Sequence, residues 1–169
     1  MTQNTATEKD MFLQTFEREC QTTLKILRAF PADKAGFRPA EKSRTAAEVA
    51  GTFVLEQGLA GKALAGTLDW SKMGPMPKLE GTLPEIITMF DKSSKETAAA
   101  VARSSEDDLN KGAQFPVGPG KLGDFRRMDI LWMTLMDQVH HRGQLSVYLR
   151  IVGAKVPSIY GPSGDEPWM

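Results

Sequence analysis

Three neighbouring side chains carry the chemistry that this sequence offers. Asp137, His140 and His141 lie in the run DILWMTLMDQVHHRGQLSVYLRIVG, from Asp129 to Gly153, and the chain has no other histidine. At 3.6 residues per helical turn, Ile130, Met133, Asp137, His141, Gln144, Tyr148 and Ile151 share one stripe. The stripe is apolar at its ends and polar in its middle, so a helix here would carry a polar island into the core. Such an island needs partners: each other, water or a metal. Asp137 and His141 stand four apart and can converge. They can chelate one ion or hydrogen-bond each other. With Glu56 from a second helix the set becomes two carboxylates and one imidazole, which suits iron, manganese or zinc better than copper. A metal centre, a metal-free buried pair and simply solvated groups all remain open at this point.

The flanking residues have plainer readings. His140 diverges from His141 by about 100° on the helix and is expected beside the site or in solvent. Arg142 could bind a substrate carboxylate, but an ion pair between helices is the simpler expectation. Gln144 could orient a ligand or a water. Tyr148 could lend a hydroxyl to the pocket or serve as a core aromatic with one satisfied oxygen.

Composition narrows the function classes. The 169 residues include 21 basic and 21 acidic ones, well mixed, for a formal net charge of zero. No basic stripe marks a nucleic-acid surface. No apolar run approaches the ~20 residues of a membrane span, and the polar N-terminus lacks a signal-peptide core. A lone cysteine, Cys20, fits a reducing compartment. These features predict one cytoplasmic domain over residues 1–169. Its Cys20 falls in an apolar phase and reads as a buried, inert thiol. There is no Walker loop, Rossmann fingerprint or G-x-S-x-G elbow.

Four long helices must position the polar residues, expected at 7–30, 45–65, 83–104 and 125–153. In the first, Met11, Phe12, Phe16, Cys20, Leu24 and Leu27 form one face before Pro31 stops it. Capping boxes open the second at Thr45-Ala-Ala-Glu48 and the third at Thr82-Leu-Pro-Glu85. Gly51, Gly58 and Gly61 predict a close neighbour for the second helix. Gly143 predicts a helix crossing on the fourth, and Gly153 a C-terminal cap. Residues 32–44, 66–81 and 110–124 read as loops, and 105–109 as a short helical turn. The tail VPSIYGPSGDEPWM is expected to be non-helical. No alternating run argues a substantial sheet. The fold class is all-α, a four-helix bundle. Apolar residues on several sides of the last helix argue for a homodimer.

The segments HHRGQL with its following residues, and RPAEKSRTAAEVAG, resemble the DinB-like superfamily, which includes YfiT-like metal-dependent hydrolases. The resemblance implies an up-down-down-up bundle, often dimeric. It also implies a divalent metal held by three histidines, one from the second helix and two spaced HxxxH in the fourth. Here His141 matches the second histidine of HxxxH. Asp137 stands in place of the first, and Thr52 in place of the second-helix histidine, with Glu56 the nearest inward-facing alternative. The expected metal set is therefore Asp137, His141 and Glu56 or Thr52, for zinc, nickel, manganese or iron, with metal-free protein as the other outcome. The pocket set is His140, Gln144, Tyr148 and Arg142. The implied function is a metal-dependent enzyme acting on a small molecule, of hydrolase or thiol-dependent transferase type. The alternative is a non-catalytic, dimeric small-ligand-binding or stress-associated protein that has lost its metal.

Overall fold

Three threonine caps start the helices. A computed structural model describes residues 6–70 and 77–168. Thr7, Thr45 and Thr82 each precede a helix, and Asp10, Glu48 and Glu85 reach back to the cap nitrogens at 3.1, 2.9 and 2.7 Å. Each box satisfies backbone donors that the first turn leaves free. The helices that follow are α1 (Glu8–Ala29), α2 (Ala46–Ala65) and α3 (Leu83–Arg103). A 3-10 turn, Ala32–Lys34, follows α1, and a short α4 (Glu106–Leu109) follows α3. The last helix, α5 (Arg127–Ile151), holds the polar stripe. Gly66 and Gly153, with φ of 69° and 76°, take the left-handed conformation that ends α2 and α5.

The protein is mostly helical. Both α1 and α2 pack against both α3 and α5, so α5 has a different partner on each side. Phe12, Phe16, Leu24 and Leu27 of α1 meet Val49 and Phe53 of α2, Ile86 and Phe90 of α3, and Leu131, Leu135, Leu145 and Leu149 of α5 in one core. Met11 and Met89 fall outside it and are exposed. Cys20 is buried as expected, and burial pushes its thiol up to about 12.

Three sequence expectations need correction. Residues 112–126 form an antiparallel hairpin, β1 (Gly112–Gly118) with β2 (Lys121–Arg126), not a loop. Trp70 anchors it through Nε1–H donated to the Gln114 carbonyl at 2.8 Å and an edge contact with Phe115. Gly143 is exposed, and a Cβ there would meet nothing within 4 Å, so no helix crosses it. The same is true of Gly58 and Gly61, whereas Gly51 abuts the Leu79 side chain rather than a helix. The tail is non-helical and is tied down by Arg150–Asp165 and Lys25–Glu166 pairs at 2.6 and 2.7 Å. The expected loop over 66–81 lies partly outside the described residues.

Candidate metal centre

Glu56 sits mid-way along α2, four residues after Thr52 and therefore one turn further on. It is 4% exposed. No donor reaches either of its carboxyl oxygens. The Asp137 carboxylate lies beside it, but two carboxylates bond each other only when one carries a proton. Burial first, and Asp137 second, push the Glu56 carboxyl up to about 10. The charge of Arg44 opposes this but is outweighed, so Glu56 is held as the neutral acid near neutral pH while no metal ion is bound.

Asp137 and His141 approach from α5, one turn apart. Asp137 stands at the rim with half its side chain exposed, while the His141 ring is buried, and 3.5 Å separates Oδ2 from Nε2. Glu56, Asp137 and His141 each offer a ligand atom, and these atoms all lie within 4.8 Å of one another. Donors about 2.1 Å from one ion can be at most about 4.2 Å apart. Around a tetrahedral ion such donors are about 3.4 Å apart, so the cluster has to draw together by roughly 1 Å to close on a cation. Oxygen and imidazole donors fit a borderline or hard divalent ion, and the orphaned Glu56 oxygens supply the unmet need for one.

The carboxamide of Gln144 fixes the histidine tautomer. His141 Nδ1–H donates to Gln144 Oε1 at 3.1 Å, and Gln144 Nε2 donates to His140 Nε2 at 2.9 Å. Nε2 of His141, 3.5 Å from Asp137 Oδ2, is therefore the ring nitrogen that carries the free lone pair. Burial lowers the His141 pKa, against the opposing hydrogen bond to Gln144 and the charge of Asp137. A neutral imidazole is the form that ligates.

Arg44 is the residue that sequence reasoning missed. Its Nη2 lies 3.0 Å from His141 Nε2 and 3.2 Å from Nδ1, and its Nη1 donates to Thr52 Oγ1 at 2.7 Å. Guanidinium only donates, and Nδ1 already serves Gln144, so Nε2 is the acceptor. The Tyr148 hydroxyl donates to the Arg44 carbonyl at 3.2 Å and holds the backbone there. The available signal was position: Arg44 directly precedes the Thr45 cap.

Each expected residue has a definite place. Glu56, Asp137 and His141 come together. The Thr52 hydroxyl accepts from Arg44 and donates to the Glu48 carbonyl at 3.1 Å. Gln144 orients His141, His140 is exposed, and Tyr148 braces Arg44. Arg142 turns the other way, into a buried ion pair with Glu19 of α1 at 2.7 Å. A cavity of 510 Å³ reaches Asp137 and His141 of the cluster but not Glu56, and is walled also by Arg44, Glu48, Gly51, Thr52, Leu55, Pro77, Lys78 and Leu79. A larger groove of 630 Å³ runs between α1 and α3, and none of the three clustered ligands lines it.

The mostly helical packing of facing helices is the class of fold to which the comparisons point. The sequence model of the DinB family matches residues 1–168, and the chain belongs to that family. Its fold is shared with a DinB-like protein from Bacillus cereus ATCC 10987, at 23% identity and a TM-score of 0.69 over 88% of this chain and 95% of that one. A DinB-like protein from Bacillus subtilis matches at 18% identity and a TM-score of 0.68, over 88% and 97%. The uncharacterized protein YrdA of Bacillus subtilis is 46% identical over 37 residues, which span 22% of each chain.

Proposed function

We propose that the protein is a metal-dependent enzyme acting on a small molecule, with Glu56, Asp137 and His141 as the protein ligands of one divalent ion. Hydrolysis or thiol-dependent transfer is the reaction type that the family likeness suggests. The observation that carries the reading is the Glu56 carboxyl, buried on α2 with no donor and aimed at two further ligand groups of α5. Zinc, nickel, manganese and iron are the candidate ions. When bound, such an ion supplies Lewis acidity and lowers the pKa of a bound water or thiol. The chain itself does the rest. Gln144 holds His141 in the ligating tautomer, Tyr148 fixes the Arg44 backbone, and the cavity beside Asp137 admits the substrate. Thr52 lines that cavity through its bond to Arg44 and is not assigned to the ion. His140 keeps Gln144 in place.

The same reading takes the chain as a single domain over residues 1–169, an up-down-down-up four-helix bundle, cytoplasmic and homodimeric. Among the described residues no helix is long and apolar enough to cross a membrane. Exposed Met136, Val147 and Ile151 on α5 support a second copy as partner.

Arg44 favours a second reading, in which the site has lost its metal and its arginine fills the gap as the resident cation of a non-catalytic ligand-binding protein. Thermal denaturation after chelation separates the two. Under the enzyme reading, zinc, nickel or manganese raises the midpoint, by the equivalent of about 2.7 kcal/mol at one hundred times Kd, and Asp137→Ala removes most of that rise. No rise with any of these ions, or with iron added anaerobically, overturns the metal centre.

A further inference from the structure

Arg44 is a cation of the cavity wall with no carboxylate in ion-pair contact, although its charge acts on the Glu56 carboxyl. Among the described residues it makes no ion pair: its side-chain partners are the Thr52 hydroxyl and the His141 ring, both neutral. The other cation of the cavity wall, Lys78, is already balanced by Glu48 at 2.7 Å. Each terminal nitrogen of Arg44 uses one of its two hydrogens on these partners and keeps one in reserve.

Charge accounting gives the rest. A divalent ion held by Glu56 and Asp137 is neutralised by their two carboxylates, and His141 adds no charge. Arg44 then leaves the site with one positive charge and nothing to balance it. An ion bound by His141 Nε2 also removes the acceptor that now holds Nη2, which frees that nitrogen towards the cavity. A guanidinium fork matches a carboxylate with two parallel bonds. The cavity volume of 510 Å³ lies within the ordinary range of ligand pockets, about 300–1,000 Å³. Beside Gly51 and the Lys78-paired Glu48, the wall presents Leu55, Pro77 and Leu79, which suit a small apolar body.

We propose that Arg44 binds the carboxylate of a small monoanionic substrate, and that a metal ion at His141 releases Arg44 to do so. This rests on the metal reading given above. It makes Arg44 specificity-determining and selects organic acids over neutral compounds of the same shape.

The test uses calorimetric titration of wild-type protein, Arg44→Ala and Arg44→Lys, first with manganese(II) alone and then with benzoate on the manganese-loaded forms. Benzamide, of the same shape but neutral, is the control. Manganese is expected to bind at least threefold more tightly to Arg44→Ala, because no guanidinium competes for Nε2. Benzoate is expected to bind at least tenfold more weakly to Arg44→Ala than to wild type, with Arg44→Lys between, and benzamide to be indifferent to the substitution. Equal benzoate affinity in all three manganese-loaded forms, or benzoate binding by none of them, overturns the role of Arg44 and leaves the metal site standing. Failure of manganese, zinc and nickel to bind any form overturns the metal reading and this one together. If Arg44→Ala does not fold, the wild-type to Arg44→Lys ratio decides: threefold or more supports the proposal, and equality sinks it.

Discussion

Two glutamates are buried to almost the same degree on opposite sides of α5, and their surroundings could hardly differ more. Glu19 of α1 is 3% exposed and Glu56 of α2 is 4% exposed. Glu19 meets Arg142 at 2.7 Å and accepts from the Tyr160 hydroxyl at 2.7 Å, and its backbone carbonyl accepts a second guanidinium bond at 3.1 Å. Burial pushes its carboxyl up, but the hydrogen bonds from Tyr160 and Arg142 outweigh that and hold it below the usual range. Glu56 has burial and another acid, which outweigh the charge of Arg44, and goes up to about 10. Five residues along a helix turn through about 140°, so Arg142 and Asp137 face different neighbours. One helix thus completes a cluster on its α1 side and leaves one open on its α2 side. A buried charge that is fully answered serves the fold. One left unanswered is where a ligand belongs.

The largest expected effect comes from breaking the answered cluster. Arg142→Ala leaves the buried Glu19 with only the Tyr160 hydroxyl and the exposed Arg18 guanidinium, at 2.7 and 3.3 Å, and should cost up to about 3–5 kcal/mol. Urea denaturation of the chelated protein measures it. Against a typical total of about 5–15 kcal/mol the loss is severe. A loss below about 1 kcal/mol would mean that Glu19 is not held by this pair, and the contrast between the two glutamates would collapse.

The open cluster should respond with the opposite sign. The folded-state pKa of Glu56 is raised from 4.5 to about 10. The unfolded chain therefore releases this proton from about pH 4.5 upward while the folded chain keeps it. The stability contributed by the neutral acid is complete below pH 4.5 and is lost as pH rises towards 10. Glu56→Gln keeps the shape, stays neutral at every pH and can donate to Asp137. In metal-free protein it should stabilise, by at most about 3 kcal/mol at pH 7 from the linkage slope of 1.36 kcal/mol per unit. The gain should grow between pH 5 and 9, and metal affinity should fall sharply. Thermal melts in chelator across that range test it. Destabilisation at pH 8 would show that Glu56 is answered after all, by a donor or by water.

How far the two clusters could be read in advance follows from what each depends on. Apolar spacing and the Thr45 and Thr82 boxes locate the helices because those signals are local. The ion pair of Arg142 was foreseeable as a type of contact. Its partners were not, because Glu19 and Tyr160 are 123 and 18 residues away and only packing joins them. Asp137 and His141 were legible from their spacing of four, and Glu56 from its phase on α2. Arg44 lies in a segment without periodicity, where no pattern says which way a side chain turns. The β1–β2 hairpin was hidden by its glycines and prolines, since its pairing depends on a facing strand and on Trp70 from another segment. Asp137 proved more exposed than a core stripe implies, because α5 brings that position to the mouth of the cavity rather than beneath it.

The smallest expected effect lies between the clusters. Gly143 follows Arg142 and precedes Gln144, on the helix that serves both sites. Sequence alone suggested that a neighbour requires the glycine, but it is exposed, its φ is not positive, and a Cβ would meet nothing within 4 Å. In an exposed helix interior, glycine costs roughly 0.5–1 kcal/mol relative to alanine, largely through the freedom it adds to the unfolded chain. Gly143→Ala should therefore stabilise by about that much in urea denaturation. It should leave manganese and benzoate affinities within twofold of wild type, since neither Arg142 nor Gln144 has to move to admit the methyl group. Stabilisation with unchanged binding would show that α5 is a rigid carrier for both clusters. Stabilisation accompanied by a tenfold loss of metal affinity would show instead that the open cluster needs α5 to flex at Gly143 in order to close on its ion. The two sides of the helix would then differ in mobility as well as in charge.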